Sequence, residues 1–186
     1  MMGNDILGKI IDSDNTKVGG GASSALSGAM AAGMISMVAK LSVKKEYGFS
    51  GDEYKIMAEE LDILAEGLMH GAKKDEEAFV ELMKAYKLPK ETDEDKAARR
   101  QAIQDGSILA SRVPESNAIM CRKVLDMGNT LVGKSNPNAA SDLMVSIKLA
   151  ELGVYGCILN IRANLPSIKD EKTLQEFEAS IKKLES

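Results

Sequence analysis

Gly19-Gly20-Gly21-Ala22-Ser23-Ser24-Ala25-Leu26-Ser27-Gly28-Ala29-Met30-Ala31-Ala32-Gly33-Met34-Ile35-Ser36-Met37-Val38-Ala39 is the stretch on which the fold turns. From Ala22 to Gly33 every residue except Leu26 and Met30 is Ala, Ser or Gly. Side chains this small let other backbones come close, so the segment reads as a central, tightly crossed helix. Lys44-Lys45 follows it, where cations suit the negative end of a helix. The rest of the composition agrees. Apolar residues make up 44% of the 186, but aromatic residues only 4%, with no Trp. The core must then come from Leu, Ile, Val, Met and Ala, which favours packed helices over a β-sandwich. The length suits one domain, 1–186. A net charge of −4, with 24 basic and 28 acidic residues interspersed, argues against a nucleic-acid partner, which would need a basic face.

Outward from that helix the periodicity continues. Ile6–Ile11 is a short amphipathic segment, and Ser13–Lys17 is rich in turn formers. A long helix spans about Asp52 to Lys87, with the stripe Met57, Leu61, Leu64, Leu68, Ala72, Phe79, Leu82 and Tyr86 at alternating spacings of three and four. Leu88-Pro89 stops it. Thr92 caps the next helix, with Asp93, Glu94 and Asp95 in its first turn. That helix is expected to run to about Val113, and Pro114 to open another from Glu115 to about Leu131. Gly133–Asn138 reads as a loop. Ala139 to Asn164 forms a helix with the stripe Leu143, Ile147, Ala150, Val154, Ile158, Ile161 and Leu165. Pro166 ends it, and a charged amphipathic helix from about Asp170 closes the chain. Long helices, short loops and no strand predict an all-α, up-and-down-type helical bundle.

Several chemistries are weakly supported. Cys121 and Cys157 lie in apolar helical contexts and read as buried thiols. With one His and no CxxC, a zinc site lacks ligands. The opening Met1-Met2-Gly3-Asn4-Asp5 has no basic region leading into an apolar run, so no signal peptide is expected. No apolar stretch reads as transmembrane without polar interruption. A cytoplasmic location without a membrane partner is the expectation. Gly128–Ser135 fits GxxxxGK[ST], but a phosphate loop works only between a strand and a helix N-terminus, and here a helix precedes it and Asn136-Pro137 follows.

Position 75 belongs on the apolar stripe of its helix, yet it holds Asp75. A carboxylate there must be paired with a Lys or Arg from another helix, neutralised, or functional. Asp142 is similar in kind, or simply complements a helix dipole. Two such carboxylates with polar companions can manage a proton and a cation. Gly19, Gly20 and Gly21 offer free amides at the start of a buried helix, able to hold an anion or polar ligand. His70 reads as exposed, and Lys44, Lys45, Lys90, Arg99 and Arg100 as surface cations unless a polyanionic tail binds.

These residues resemble a family. Gly19-Gly20-Gly21-Ala22 with the small-residue helix is similar to the opening of the formiminotransferase-cyclodeaminase C-terminal domain, whose stand-alone relatives include methenyltetrahydrofolate cyclohydrolases. Asp75-Glu76-Glu77-Ala78-Phe79 looks like its DxxAF, and Leu88-Pro89-Lys90-Glu91-Thr92 like its LPKxT. Asn136-Pro137-Asn138-Ala139-Ala140-Ser141-Asp142 looks like its NxNxxSD, and Asn160, Asn164 and Leu165 like its NxxxNL. Val18 stands where the family has Pro. The resemblance implies an all-helical homodimer acting on tetrahydrofolate derivatives as substrates, with no bound cofactor and no metal. The expected reaction hydrolyses 5,10-methenyltetrahydrofolate to 10-formyltetrahydrofolate. Deamination of formimidoyltetrahydrofolate is the alternative reaction, and a non-catalytic helical scaffold the alternative from another class. Asp75 is expected to be the acid/base, with Asp142 as its positioning partner. The glycine turn with Asn138 or Asn160 would hold the pterin, and Lys44 and Lys45 the glutamate tail.

Overall fold

Two capping boxes launch the two longest helices. Ser50 Oγ accepts the Glu53 N–H at 3.3 Å, while the Glu53 carboxylate accepts the Ser50 N–H at 2.7 Å. Thr92 and Asp95 repeat the exchange at 3.0 and 3.1 Å. In the computed structural model, which describes residues 6–186, these boxes begin α3 (Gly51–Tyr86) and α4 (Asp93–Thr130). The other helices are α1 (Ile6–Ile11), α2 (Gly20–Ser42), α5 (Ala140–Asn164) and α6 (Glu171–Glu185), with 3₁₀ turns at Pro137–Ala139 and Leu165–Ser167. No strand occurs among the described residues. Met1–Asp5, the segment read for a leader, lie outside them.

α2, α3, α4 and α5 form an up-down-up-down square. The Ser36 hydroxyl of α2 donates to Ala58 O of α3 at 3.1 Å, and Lys40 pairs with Asp62 at 2.7 Å, so those two helices run antiparallel. Gly20 lies by Asn160 and Gly28 by Gly153, so α2 and α5 are antiparallel as well. The small residues of α2 have a specific use. A Cβ on Gly28 would collide with the Cys121 thiol of α4, on the far corner of the square, and would press on Leu68 of α3 at 3.1 Å. A Cβ on Gly153 would lie 2.8 Å from the same sulfur and 3.1 Å from Ser24 O. One thiol and two glycines therefore let the diagonal helices approach. Large side chains at these positions would force them apart and open voids, which close-packed interiors do not tolerate.

α4 corrects the sequence reading. The chain does not end one helix at Val113 and open another at Glu115; α4 runs unbroken through the buried Pro114. A proline has no N–H for the carbonyl four residues back, here Ala110. Asn164 Nδ2, at the end of α5, donates to Ala110 O at 3.1 Å in its place. The freed carbonyl is satisfied from a neighbouring element, so the helix persists.

α6 lies across α4. Phe177 is fully buried, with Ile181 and Leu184 beside it, and the Arg112 guanidinium stacks 4.4 Å from the Phe177 ring centre. By length and composition alone, Gly20–Ser42 and Pro137–Ser167 could each cross a membrane, each with a mean hydropathy of 1.4, although serines interrupt the first and Asp142, Lys148 and Glu151 the second. They differ in burial: 72% of the most apolar window is buried in the first, but only 44% in the second. α2 is thus a core helix, whereas α5 leaves apolar surface uncovered.

Candidate active site

Asp75 sits on the α2-facing side of α3, three residues beyond the buried Ala72 on the stripe that includes Leu61, Leu64 and Leu68. The start of α2 has no side chain of its own as a cap. The Asp75 carboxylate fills that role from outside, accepting the Ala22 N–H. It occupies the space above Gly21, where a Cβ would overlap both its oxygens. Two effects oppose each other there. Burial disfavours the charged form, while the Ala22 N–H favours it; burial is the larger, and the pKa rises from 3.8 to about 6. No Lys or Arg pairs with Asp75 among the described residues, although the adjacent Glu76 is held by Lys9 at 2.7 Å. A half-buried carboxylate without a counter-cation is suited to accept a proton near neutral pH and to attract a cationic ligand.

Two further polar groups border this position. Asn160 of α5 lies against Gly20, its Nδ2 3.3 Å from where a Cβ on Gly20 would stand, and donates to Gly156 O at 2.8 Å. The buried Cys157 thiol is hydrogen-bonded to Cys121, and that bond together with burial holds it far above the usual thiol range. Gly19 faces open space. Gly20, Gly21, Asp75 and Asn160 therefore converge, while Gly19 borders them.

The remaining sequence candidates are elsewhere. Asp142 is in the first turn of α5, 18 residues before Asn160, which is about 27 Å along the helix. The pairing of Asp142 with Asp75 is therefore not formed within one chain. Asn138 is exposed, its N–H donating to Asn136 Oδ1, and Asn136 is tied to Leu41 O and Ser42 Oγ at the C-terminal end of α2. Lys44 and Lys45 follow that same end, about 33 Å from Gly20 along α2. The two groups are separated because α2 and α5 run antiparallel: residues close to Gly20 are necessarily at the far end of α5 from Asp142. His70 is exposed, as expected.

One turn beyond Asp75, a groove of about 390 Å³ opens between α3 and the loop before α2. Phe79, Val80 and Met83 form its apolar side, and Lys17, Lys84 and Lys87 its basic rim. The sequence expectation of an anionic tail on Lys44 and Lys45 concerns the other end of the bundle and did not include this trio. Phe79, four residues after Asp75 on the same face, is a signal the sequence carries. Lys17 is not legible there, because only the fold brings Thr16 and Lys17 to α3.

Against known proteins, the family model described as formiminotransferase-cyclodeaminase matches residues 6–183. The chain belongs to that family. It is 36% identical to the methenyltetrahydrofolate cyclohydrolase of Methylorubrum extorquens, with 96% of this chain and 89% of that protein covered. It is 34% identical over 110 residues to the formimidoyltransferase-cyclodeaminase of Gallus gallus, covering 59% of this chain but 20% of that longer protein. The crystal structure of the Thermotoga maritima formiminotetrahydrofolate cyclodeaminase superposes with a TM-score of 0.78 at 28% identity, covering 90% of this chain and 80% of that one. Of the segments that resemble family motifs, those around Gly20, Asp75 and Asn160 meet at one end of the bundle. Those around Asn138 and Asp142 lie at the other.

Proposed function

We propose that this protein hydrolyses 5,10-methenyltetrahydrofolate to 10-formyltetrahydrofolate. The observation that carries the reading is Asp75, a half-buried carboxylate without a counter-cation, held over Gly21 with its pKa raised to about 6. The methenyl carbon lies in a cationic amidinium, which a lone half-buried carboxylate attracts. As water attacks that carbon, Asp75 takes a proton from the water while the C–O bond forms. Asp75 then delivers the proton to N5 as the C–N5 bond breaks, leaving the formyl group on N10 and releasing one net proton. A base near its working pH contributes roughly 10²–10⁴-fold in such a transfer. The Phe79–Met83 groove takes the aromatic arm of the folate, and Lys17, Lys84 and Lys87 face its glutamate carboxylates. The reading includes a cytoplasmic homodimer with no resident cofactor, metal, membrane or nucleic-acid partner.

A second reading, cyclodeamination of formimidoyltetrahydrofolate, is favoured by the name of the Thermotoga maritima relative. It passes through a similar tetrahedral carbon and would use the same carboxylate. Following the methenyl chromophore with each substrate separates them: accelerated loss marks hydrolysis, and its formation from formimidoyltetrahydrofolate marks deamination. Asp75→Asn should lower kcat by about 10²–10⁴-fold with helical content retained; near-normal turnover would refute the assignment.

A further inference from the structure

α3 and α4 line a cavity of about 190 Å³. Gly67 and Gly71, one turn apart on α3, make room for it, because neither carries a side chain. Asn117 of α4 packs into the notch they leave: a Cβ on Gly71 would stand 1.9 Å from its Oδ1. Gly71 and Asn117 are buried and form the bottom. Val113 and Met120 are half-buried on the walls, and Lys74 and Ser116 are exposed at the mouth. We propose that this cavity binds a small aliphatic monocarboxylate, at a site separate from that of Asp75. Lys74 and Asp75 are neighbours in sequence, but successive residues turn about 100° around a helix. Asp75 therefore reaches α2 while Lys74 borders the cavity with α4.

The buried amide is the observation that calls for a ligand. Asn117 is 1% exposed, and its Nδ2 has no acceptor among the described residues. Buried polar groups are paired in nearly all cases, because an unmet donor costs its full desolvation. An amide held at the bottom of a cavity by a close-fitting glycine is placed for an oxygen that enters from outside. The Ser116 hydroxyl and the Lys74 ammonium stand above it as further donors.

Charge and size narrow the class. Arg112 also borders the cavity, but its guanidinium is held by Glu115 at 3.0 Å and by Glu176. Of the two lining cations, only Lys74 lacks an ion pair among the described residues. One uncommitted cation suits one negative charge, whereas a phosphate dianion would also meet Glu115 and Glu176. Val113 and Met120 suit a short alkyl chain. At about 30 Å³ for each water-sized group, the volume takes roughly six non-hydrogen atoms, the size of butyrate.

Butyrate is accordingly the probe. Titrated into the ¹⁵N-labelled full chain, it should shift the Asn117 side-chain amide resonances saturably, with a Kd of roughly 1 mM for so few atoms. Lys74→Ala, at an exposed position, should weaken binding by about 10-fold, the scale of a charge-assisted hydrogen bond. Lys73→Ala, its exposed neighbour outside the cavity lining, should not. Asn117→Leu should abolish binding without lowering the urea midpoint, since it removes an unmet donor; a purely structural amide would lower it. Butylamine and inorganic phosphate should not bind. The proposal is overturned by an Asn117 amide that butyrate leaves unmoved, with an ordered water only as its partner. Undiminished binding by Lys74→Ala, or phosphate binding as tight as that of butyrate, would overturn it equally. The readout is binding, so the result stands apart from whether the protein turns over either folate.

Discussion

Gly21 leaves the Asp75 carboxylate room to reach the start of α2, so a single methyl group is a sensitive probe. Gly21→Ala should push the carboxylate aside and lower kcat by about 10²-fold, the scale of a catalytic group misplaced by an ångström. Gly19→Ala, which adds its Cβ to open space, should leave the rate near wild type. Asp75 itself links pH, rate and stability. In the fold its pKa is about 6 against an ordinary 3.8, so the folded state binds the proton more tightly than the unfolded chain. Its ionisation therefore destabilises the fold above about pH 6, and the penalty fades as pH falls from 6 towards 3.8. Asp75→Asn should accordingly raise unfolding free energy at pH 7 by about 1–3 kcal/mol, a gain that denaturant titrations should find lost below about pH 4. In the same window, wild-type kcat/KM should fall as pH drops below about 6, because the base becomes protonated. Asp75 was legible in the sequence because a carboxylate interrupts an apolar stripe. Its hydrogen bond to Ala22 was not, since 53 residues separate the two.

At the scale of elements, α4 and α5 are coupled through one carbonyl. Asn164 Nδ2 bonds both Asn160 O at 3.0 Å and Ala110 O at 3.1 Å, and the second contact replaces the hydrogen bond that Pro114 cannot make. Asn164→Ala should destabilise the protein by about 1–2 kcal/mol, because Ala110 O then lacks a partner. In a Pro114→Ala background the loss should shrink, since the residue at 114 regains an N–H for that carbonyl. A double-mutant cycle by chemical denaturation measures the difference. The sequence reading split this helix at Pro114 because local rules correctly predict a break there. The rescue comes from a side chain 50 residues further on. The caps at Thr92 and the stop at Leu88-Pro89 were legible because they depend on neighbours within four residues.

At the scale of the whole molecule, α6 contributes by burying Phe177 against α4 under Arg112. Phe177→Ala should cost about 3–5 kcal/mol in unfolding free energy, measurable by urea titration, through lost burial and the cavity left behind. The all-helical class, the central place of the small-residue helix and the position of Asp75 on an otherwise apolar stripe followed from the sequence alone. They rest on composition, periodicity and one interruption of a pattern, all of which are local properties of the chain. The tertiary structure alone decided which candidates meet. Antiparallel packing of α2 on α5 gathers Gly20, Gly21, Asp75 and Asn160, and sends Asp142, Asn138, Lys44 and Lys45 to the far end. Helix direction sets that partition, and no spacing along the sequence encodes it.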